Sequence, residues 1–373
     1  MNDYQILAIN PGSTSTKISV FNGDEAVFVR NVKHGASHDR EQTHDDKVSE
    51  IKNLILRELS TIGGFDIARI DAFVGRGGGV VHCAPGTYEI NEIMINDSRE
   101  NPIIHPSKFA PQIAYEFARA HGKKAYMVNS PHSDEFDEVS RVCGLAGIER
   151  VSSVHALNQK EVAYRAAAEL GGKYEDLNFV VAHLGGGFSI TAHKRGKMID
   201  STDNINGEGP MSINRCGTIA VKSIVDLCFS GTHTKESMYE LIMTKSGLLG
   251  HLGASDGMAI EKMVKEGDKH AKTVFDAMLQ QIAKSIGAMA AVLDGDVQAV
   301  ILTGGLAKDP YLVDTLTRKA KFIAPVLVYP GEFEMEALTN GVLRVLRKQE
   351  ECIAYTGIPA WTGFEWDKKQ VQN

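Results

Sequence analysis

The sequence lacks the features that mark several large classes of protein. Its five cysteines are odd in number and contain no CxxC pair, which argues against a disulfide framework or a cysteine metal cluster. The apolar stretch at residues 286–293 is far too short to cross a bilayer, and the N-terminus shows no signal-peptide pattern. We therefore expect a cytoplasmic protein with reduced cysteines and no membrane partner.

Positive charge is also scarce. The 40 lysines and arginines are outnumbered by 47 aspartates and glutamates, so the net charge is −7. Nucleic-acid binding needs a basic footprint, and we expect no nucleic-acid partner. An anionic substrate stays possible if positive charge is supplied locally.

Three common nucleotide-binding signatures are missing from the sequence. The P-loop pattern GxxxxGK[ST] does not occur, and GxGxxG follows no candidate strand, including the glycine cluster at residues 75–79. The protein-kinase signature set is absent as well. These absences argue against P-loop enzymes, dinucleotide-binding domains and protein kinases.

What the sequence does contain is an internal repeat. A chain of 373 residues exceeds what one core usually supports, and segments beginning at Ile6 and Phe179 align without a gap, offset by 173 residues. Each has four apolar residues, a small-residue loop, a second strand and a turn, where Gly23 matches Gly196. Similar hairpins can arise by chance, but the matched order favours duplication.

The remaining sequence alternates strand and helix patterns. Strands are predicted at residues 70–75, 125–128 and 297–302, and helices at residues 161–170, 276–293 and from about residue 309. Such alternation predicts an α/β class with mixed sheets. No linker rich in proline or serine separates the halves, so we expect two closely packed domains with a cleft between them.

Three predicted strand ends lead into loops of small residues, at 10–17, 183–189 and 303–307. Glycine lets the backbone approach a phosphate closely, and successive backbone N–H groups form an anion-binding nest. One such loop is weak support, because tight turns need glycine anyway. Three loops, two of them at equivalent repeat positions, favour phosphate binding.

Several charged residues near these loops are candidates for chemistry. Arg76 lies in a glycine cluster after a strand and offers a rigid donor fork suited to carboxylate or phosphate. Arg215 is a second candidate, although a solvated loop arginine fits its context equally well. Lone histidines such as His155 and His105 are more often packing or capping residues than catalysts.

A cluster of glutamates follows the segment Tyr329-Pro330-Gly331 and comprises Glu332, Glu334 and Glu336. One of these carboxylates could hold Mg²⁺ on a nucleotide. A solvated helix start explains such a run as well, because acids favour the helix N-terminus.

The motifs AINPGSTSTK, GRGGG, HALNQK, HLGGGFSI and ILTGGLA, in this order, resemble the acetokinase family, most closely its butyrate and branched-chain fatty-acid kinases. The resemblance spans about residues 4–346. It implies two duplicated ribonuclease-H-like (actin-like ATPase) domains with a central nucleotide cleft. The first comprises residues 1–150 plus about 336–373, and the second, nucleotide-binding, comprises residues 151–335.

The implied reaction is reversible transfer of phosphate from ATP, with Mg²⁺, to a short carboxylate such as butyrate, giving ADP and an acyl phosphate. The resemblance also implies a homodimer or higher homo-oligomer. The implied first phosphate loop is Asn10, Gly12, Ser13, Thr14, Ser15 and Lys17. The implied second loop is His183, Gly185, Gly186 and Gly187, and the adenosine loop is Gly304, Gly305 and Ala307.

The resemblance implies further roles for single residues. Arg76 and Arg215 would grip the carboxylate and the transferring phosphoryl group, and His155 would stabilise that group in flight. Glu334 is the expected metal carboxylate, with Glu332 as its competitor. His105 is expected in the substrate pocket together with Gly78.

Some positions depart from the family pattern. Gly78 stands where acetate kinases have valine, which predicts a larger acyl pocket and a preference for four-carbon or branched acids. Asn129 stands where an aspartate is expected at the catalytic site, so activity could be weakened. The aromatic tail with Trp361 and Trp366 lies beyond the matched region and has no predicted role.

Two alternatives remain open from sequence. One is a kinase for another short acid, such as propionate. The other is a weakly active nucleotide-binding regulator, which the neutral side chain of Asn129 keeps in consideration.

Overall fold

The computed structural model describes residues 4–12, 15–33, 43–102 and 105–368. The chain divides into two compact units. Unit 1 comprises Met1–Asp134, Ala156–Glu161 and Phe333–Asn373, and unit 2 comprises Glu135–His155 and Val162–Glu332.

The described residues form strands and helices in alternation. The strands are β1 (Gln5–Pro11), β2 (Ser15–Asn22), β3 (Glu25–Lys33), β4 (Ala72–Gly75), β5 (Thr87–Glu89), β6 (Lys124–Val128), β7 (Asn178–Leu184), β8 (Phe188–Lys194), β9 (Lys197–Ser201), β10 (Ala299–Gly304), β11 (Val326–Pro330) and β12 (Ile353–Ala354). The α-helices are α1 (His44–Ser60), α2 (Glu92–Glu100), α3 (Ala110–Ala120), α4 (Ala156–Glu169), α5 (Val221–Cys228), α6 (Lys235–Thr244), α7 (Gly247–Leu252), α8 (Gly257–Lys265), α9 (Lys269–Val292), α10 (Pro310–Ala320), α11 (Glu334–Leu346) and α12 (Glu365–Lys368).

The sequence repeat is a structural repeat. Strands β1, β2 and β3 form an antiparallel meander, and β7, β8 and β9 form another. Gly23 and Gly196 occupy the same turn in each, with φ of 56° and 84°. This left-handed backbone favours glycine, so the predicted duplication of hairpins is confirmed.

In unit 1 a seven-stranded sheet has the order β12-β5-β6-β4-β1-β2-β3. Strands β1, β4 and β6 run parallel, so their carboxyl ends share one edge. Helices α1 and α3 contribute to the main hydrophobic core, and α11 contributes Leu338 and Val342 to a second cluster with Ile6 and Ala8 of β1. The ends of three parallel strands and the start of α11 therefore lie within one unit.

Unit 2 contains a five-stranded sheet of order β11-β10-β7-β8-β9, in which β7, β10 and β11 are parallel. The long helix α9 packs its buried residues, such as Ile282 and Ile286, in the same core as Val180 and Val300 of the sheet. The predicted phosphate and adenosine loops follow the carboxyl ends of β7 and β10, where ligands bind in open α/β sheets.

Some element boundaries differ from the sequence predictions. The helix predicted at residues 276–293 begins at Lys269, because the Asp268 side chain caps it by accepting from the backbone N–H groups of His270 and Ala271. The helix predicted at residues 161–170 begins at Ala156. Both helices therefore start earlier than the apolar periodicity suggested, and for α9 the Asp268 cap supplies the reason.

Among the described residues, no helix is both long and apolar enough to cross a membrane.

Candidate active site

In unit 1 the structure brings together three predicted site residues. Arg76 follows β4, Asn10 is near the end of β1, and Glu334 opens α11. Nη1 of Arg76 lies 2.9 Å and 3.0 Å from the two carboxylate oxygens of Glu334 and 3.4 Å from Oδ1 of Asn10. Nδ2 of Asn10 donates to Glu334 over 2.6 Å. A guanidinium, an amide and a carboxylate thus form one polar cluster.

This cluster is only partly exposed. The Arg76 and Glu334 side chains are 19% and 12% exposed, and Nε of Arg76 is buried without a hydrogen-bond partner among the described residues. The backbone N–H of Arg76 donates to Ile9 O over 3.0 Å. A buried guanidinium with unused donor capacity can bind a further anion.

The cluster can be tested for its fit to Mg²⁺. No group of three or more His, Cys, Asp or Glu side chains that could hold a metal occurs in the described part of the chain. Mg²⁺ commonly keeps several waters and takes one or two protein carboxylates together with substrate phosphates. The single carboxylate of Glu334, beside the amide of Asn10, fits a metal ion that arrives with a nucleotide.

The first predicted phosphate loop is described only in part. The N–H of Gly12 donates to Ser15 O over 2.7 Å and closes the loop. Lys17 is exposed on β2, opposite Asn10 in the hairpin register. The predicted ligands Ser13 and Thr14 lie outside the described residues.

Gly78 does not enlarge a pocket by its lack of a side chain. A Cβ at Gly78 would overlap Oγ of Ser107 and lie 2.8 Å from that residue's carbonyl carbon and Cβ. The space that a valine would fill is therefore taken by Ser107. Gly78 therefore leaves no free volume beside Ser107, and the preference for larger acids stays a prediction.

His105 lies close to the Arg76 cluster. Its Nδ1 accepts the backbone N–H of Ser107 over 3.2 Å and is 2.7 Å from the Ser107 hydroxyl. Desolvation and the charge of Arg76 lower the pKa of His105, and Glu334 opposes the shift. A neutral imidazole that accepts at Nδ1 carries its proton at Nε2, so this ring can donate a hydrogen bond.

Two further histidines, which the sequence did not single out, stand near His105. The rings of His82 and His132 meet edge to face with centroids 5.1 Å apart. Burial, and then the charges of His82 and His105, lower the pKa of His132 from 6.5 to about 4. His132 is therefore neutral in the folded protein at neutral pH.

This shift predicts a pH dependence of stability. Between pH 6.5 and about 4 the unfolded state binds a proton at His132 that the folded state does not, so the free energy of unfolding falls as pH falls. The loss is roughly 3 kcal/mol across the window. Urea unfolding at several pH values should show a flatter dependence for His132→Gln. Replacement of the exposed His270 by glutamine serves as the control, and equal slopes for His132→Gln and wild type would contradict the assignment.

Asn129 contacts the backbone that precedes β5. It follows β6 with φ of 42°, and its side-chain Oδ1 accepts the N–H of Gly86 over 2.9 Å. Its own N–H donates to Gly86 O over 3.0 Å. The described contacts of Asn129 thus hold the backbone at the start of β5 and go to neither Arg76 nor Glu334.

Substitutions at Asn129 should therefore act on stability. Asn129→Ala deletes the buried acceptor for Gly86 and places alanine at a positive φ, which we expect to lower the free energy of unfolding by about 1–3 kcal/mol. Asn129→Asp keeps an acceptor and a residue that tolerates this backbone, so its loss should be smaller. Urea unfolding measures both, and equal losses would exclude the Gly86 contact as the cause.

In unit 2 two stacked histidines lie beside the second phosphate loop. His183 is near the end of β7 and 2% exposed, and its ring stacks on that of His155 with centroids 4.0 Å apart at 10°. Nδ1 of His155 lies 2.8 Å from the hydroxyl of Ser189 on β8. Stacking and this hydrogen bond fix the imidazole of His155 beside the loop.

Arg215 lies against the same loop. A Cβ at Gly187 would overlap Nη1 of Arg215 and lie 3.1 Å from its Cζ. Burial lowers the pKa of Arg215, and the charge of Asp203 opposes the shift. Because Nε of Arg215 is buried without a partner among the described residues, the guanidinium keeps donor capacity. The glycine is needed so that this cation can approach the loop.

The segment that carries Arg215 is fixed by neighbouring backbone. The N–H of Ser212 donates to Arg215 O over 3.0 Å, and the N–H of Leu248 donates to Ser212 O over 3.1 Å. Gly247, with φ of 62°, lets the start of α7 approach this turn, because a Cβ there would overlap Ser212 O. Arg215 therefore lies in a turn that backbone hydrogen bonds hold in place, and not in a solvated loop.

The competing glutamate has a separate location. Glu332 belongs to unit 2, where its Oε1 lies 3.4 Å from the position of a Cβ on Gly185. Glu334 belongs to unit 1. The two carboxylates therefore accompany different loops, Glu332 the second phosphate loop and Glu334 the Arg76 cluster.

The predicted adenosine loop borders a cavity of about 420 Å³ in unit 2. Gly304 has φ of 93°, and a Cβ there would overlap the backbone of Leu184, so glycine is required where β10 meets β7. Gly305 lines the cavity, whereas Ala307 is buried and does not line it. The other lining residues are Ile213, Leu248, Asp256, Gly257, Glu261, Phe275, Leu306, Lys308 and Asp309. Its volume suits a small-molecule site.

The comparisons with known proteins bear on these two units. The model of the acetokinase family matches residues 144–323, just under half of the chain. The structure resembles acetate kinase from Porphyromonas gingivalis with a TM-score of 0.74 at 21% identity, covering 91% of this chain and 99% of that one. Acetate kinase from Entamoeba histolytica gives 0.72 at 20% identity, covering 90% and 98%.

A propionate kinase from Francisella tularensis subsp. tularensis gives a TM-score of 0.69 at 17% identity, covering 90% of this chain and 98% of that one. At these identities the structural likeness establishes the fold. The protein has the two-domain mixed α/β fold of the actin-like ATPases, which confirms the predicted fold class.

Proposed function

We propose that this protein transfers the γ-phosphoryl group of ATP to a short-chain carboxylate, giving ADP and an acyl phosphate. The observation that carries the proposal is a pair of arginines next to glycines, Arg76 in unit 1 and Arg215 in unit 2. Nε of each is buried without a hydrogen-bond partner among the described residues. Guanidinium groups suit both the carboxylate and the phosphoryl oxygens of such a reaction. The family match over residues 144–323 supports the same class of enzyme.

The chemistry assigns distinct tasks to the two sets of residues. A carboxylate oxygen attacks the γ-phosphorus in line while the bond to the leaving ADP oxygen breaks, and an acid ionised at neutral pH needs no general base. Arg76 would hold the acid, and Arg215 with His155 would neutralise charge on the phosphoryl oxygens. Mg²⁺, held through Glu334, would supply charge neutralisation on the nucleotide phosphates. The cavity beside Gly305 would hold the adenosine.

Butyrate or a branched-chain acid is the proposed substrate, because the sequence motifs resemble that branch of the family most closely. An acid panel of two to six carbons, with ATP, Mg²⁺ and hydroxylamine to trap the acyl phosphate, tests this. Most product with four- or five-carbon acids supports the proposal. Most product with acetate or propionate would move the substrate to the alternative acid, and no product with any acid would reject the kinase in favour of the nucleotide-binding regulator.

We further propose a homo-oligomer that uses helix α5. All eight residues of α5 are at least partly exposed, and Val221 and Phe229, next to its C-terminus, are 77% and 87% exposed. So short a helix is marginal in water without packing. Lys222 and Asp226 form an i, i+4 pair, so two antiparallel copies of α5 about a two-fold axis would set lysine against aspartate. This self-complementary charge pattern favours a second copy as the occupant.

Aspartate at Val221 and Phe229 should dissociate this assembly, because it would bury four carboxylates in a two-fold interface. We expect the double variant to elute with the mass of the 40.6 kDa chain and wild type with at least twice that mass, by size-exclusion chromatography with light scattering. Phe322→Asp is the matched control, since Phe322 is 82% exposed in the same unit. A monomeric wild type, or an unchanged double variant, would refute the α5 interface.

A further inference from the structure

The chain beyond α11 packs on unit 1, the unit that carries Arg76. Strand β12 pairs in parallel with β5, and the next residue, Tyr355, is 3% exposed within the main hydrophobic core of the unit. Nδ2 of Asn91 donates to Tyr355 O over 2.9 Å. This tail is therefore an integral part of the unit, although the sequence assigned it no role.

The hydroxyl of Tyr355 joins two other segments. It accepts the backbone N–H of Val81 over 3.1 Å and donates to Oδ2 of Asp97 over 2.6 Å. Donation to Asp97 requires a protonated phenol, and burial raises the pKa of Tyr355 above its usual value. The hydroxyl thus connects the Val81 backbone to helix α2.

Val81 ends a tight turn that starts at Gly78, two residues after Arg76. Gly79 has φ of 69° in this turn. At its start, Gly78 O accepts from Oγ of Ser98 over 3.1 Å. Ser98 is the neighbour of Asp97 on α2, so both ends of the turn are tied to one point on that helix. Ser98 hydrogen-bonds directly to Gly78, whereas Asp97 is linked to Val81 through the Tyr355 hydroxyl.

The tail contacts this segment a second time. The N–H of Ala360 donates to His82 O over 2.7 Å. At the start of the segment, the backbone N–H of Arg76 donates to the carbonyl oxygen of Ile9 in β1. The residues before the turn are therefore fixed by the sheet, and those after it are fixed by the tail.

We propose that Tyr355 is a positioning residue for the Arg76 loop, residues 76–82, and that it sets the direction of the guanidinium through the turn at Gly78–Val81. The kinetic consequence rests on the proposed function, in which Arg76 binds the carboxylate. The structural consequence, a loop held by one phenolic hydroxyl, does not depend on that function.

Tyr355→Phe tests the inference because it keeps the ring in the core and deletes only the hydroxyl. We expect amide hydrogen exchange in residues 77–82 to become roughly ten-fold faster, and KM for the acid to rise by a similar factor. The kcat and the KM for ATP should change much less, because the loop holds only the acid-binding arginine. A general structural loss would instead change the kinetics with both substrates. Tyr311→Phe is the matched control, since the Tyr311 hydroxyl donates to Asp276 over 2.7 Å in unit 2.

Unchanged exchange in residues 77–82 would overturn the inference whatever the kinetics. Faster exchange with an unchanged KM for the acid would also overturn it, because the loop would then not position Arg76. If wild type forms no acyl phosphate, the proposed function fails separately, and the exchange rates alone decide whether Tyr355 holds the loop.

Discussion

Arg76→Ala is expected to lower kcat/KM for the acid by about a thousand-fold, the upper end of the range for losing one preorganised hydrogen-bond donor. The substitution removes the guanidinium that lies 2.9 Å from Glu334 and whose Nε is buried without a partner among the described residues. Arg76→Lys should also lose most of the activity, because an ammonium cannot reproduce the planar donor fork. The hydroxamate assay measures both variants.

The control for Arg76 is Arg347→Ala, which removes an arginine of unit 1 whose Nη1 and Nη2 bond to the carboxylate of Asp24. Its activity should stay close to wild type. Arg76→Ala also leaves Glu334 without its cation, so protein stability must be followed in parallel by urea unfolding. The double variant Arg76→Ala/Glu334→Gln removes that unpaired charge. Activity of Arg76→Ala within ten-fold of wild type would contradict the assigned role.

Gly187→Ala is expected to lower kcat by about a hundred-fold. The new methyl group would overlap Nη1 of Arg215, and the guanidinium must move away from the second phosphate loop. Single-turnover measurement of acyl-phosphate formation, with ATP and acid bound in advance, isolates this effect on transfer.

Arg215→Ala provides the comparison for Gly187→Ala. If the glycine matters because it admits Arg215, the double variant should lose no more activity than Arg215→Ala alone, since interacting residues are not additive. If the fold-losses of the two single variants instead multiply in the double variant, Gly187 acts on the loop itself and not through Arg215. Gly287→Ala, a helical glycine whose Cβ would meet nothing within 4 Å, controls for a general effect of the added methyl group.

Local features of the fold were predictable from sequence. The duplicated hairpins follow from short apolar runs and from turn glycines such as Gly23 and Gly196, whose left-handed backbone is a local requirement. Parallel strands place their carboxyl ends at one edge of a sheet, and in this structure that edge brings Asn10 and Arg76 together.

The contacts that depend on distant segments were not predictable. Arg76 and Glu334 are far apart in the chain and meet because α11 lies in the same unit as β4. The absence of a side chain at Gly78 suggested free volume, but packing supplied Ser107 instead. Likewise, the partner of Asn129 is the backbone of Gly86, and side-chain chemistry alone does not identify such a partner.

The pairing of Glu334 with Arg76 has a consequence for selectivity under the proposed function. When no acid is bound, an internal carboxylate already rests on the guanidinium. Each incoming acid therefore binds a guanidinium that Glu334 already partly neutralises, and this carboxylate contact is nearly the same for every member of a homologous series. Discrimination between acids must then come from burial of the hydrocarbon chain, at about 0.8 kcal/mol for each methylene group, so neighbouring acids should differ by only a few-fold in affinity.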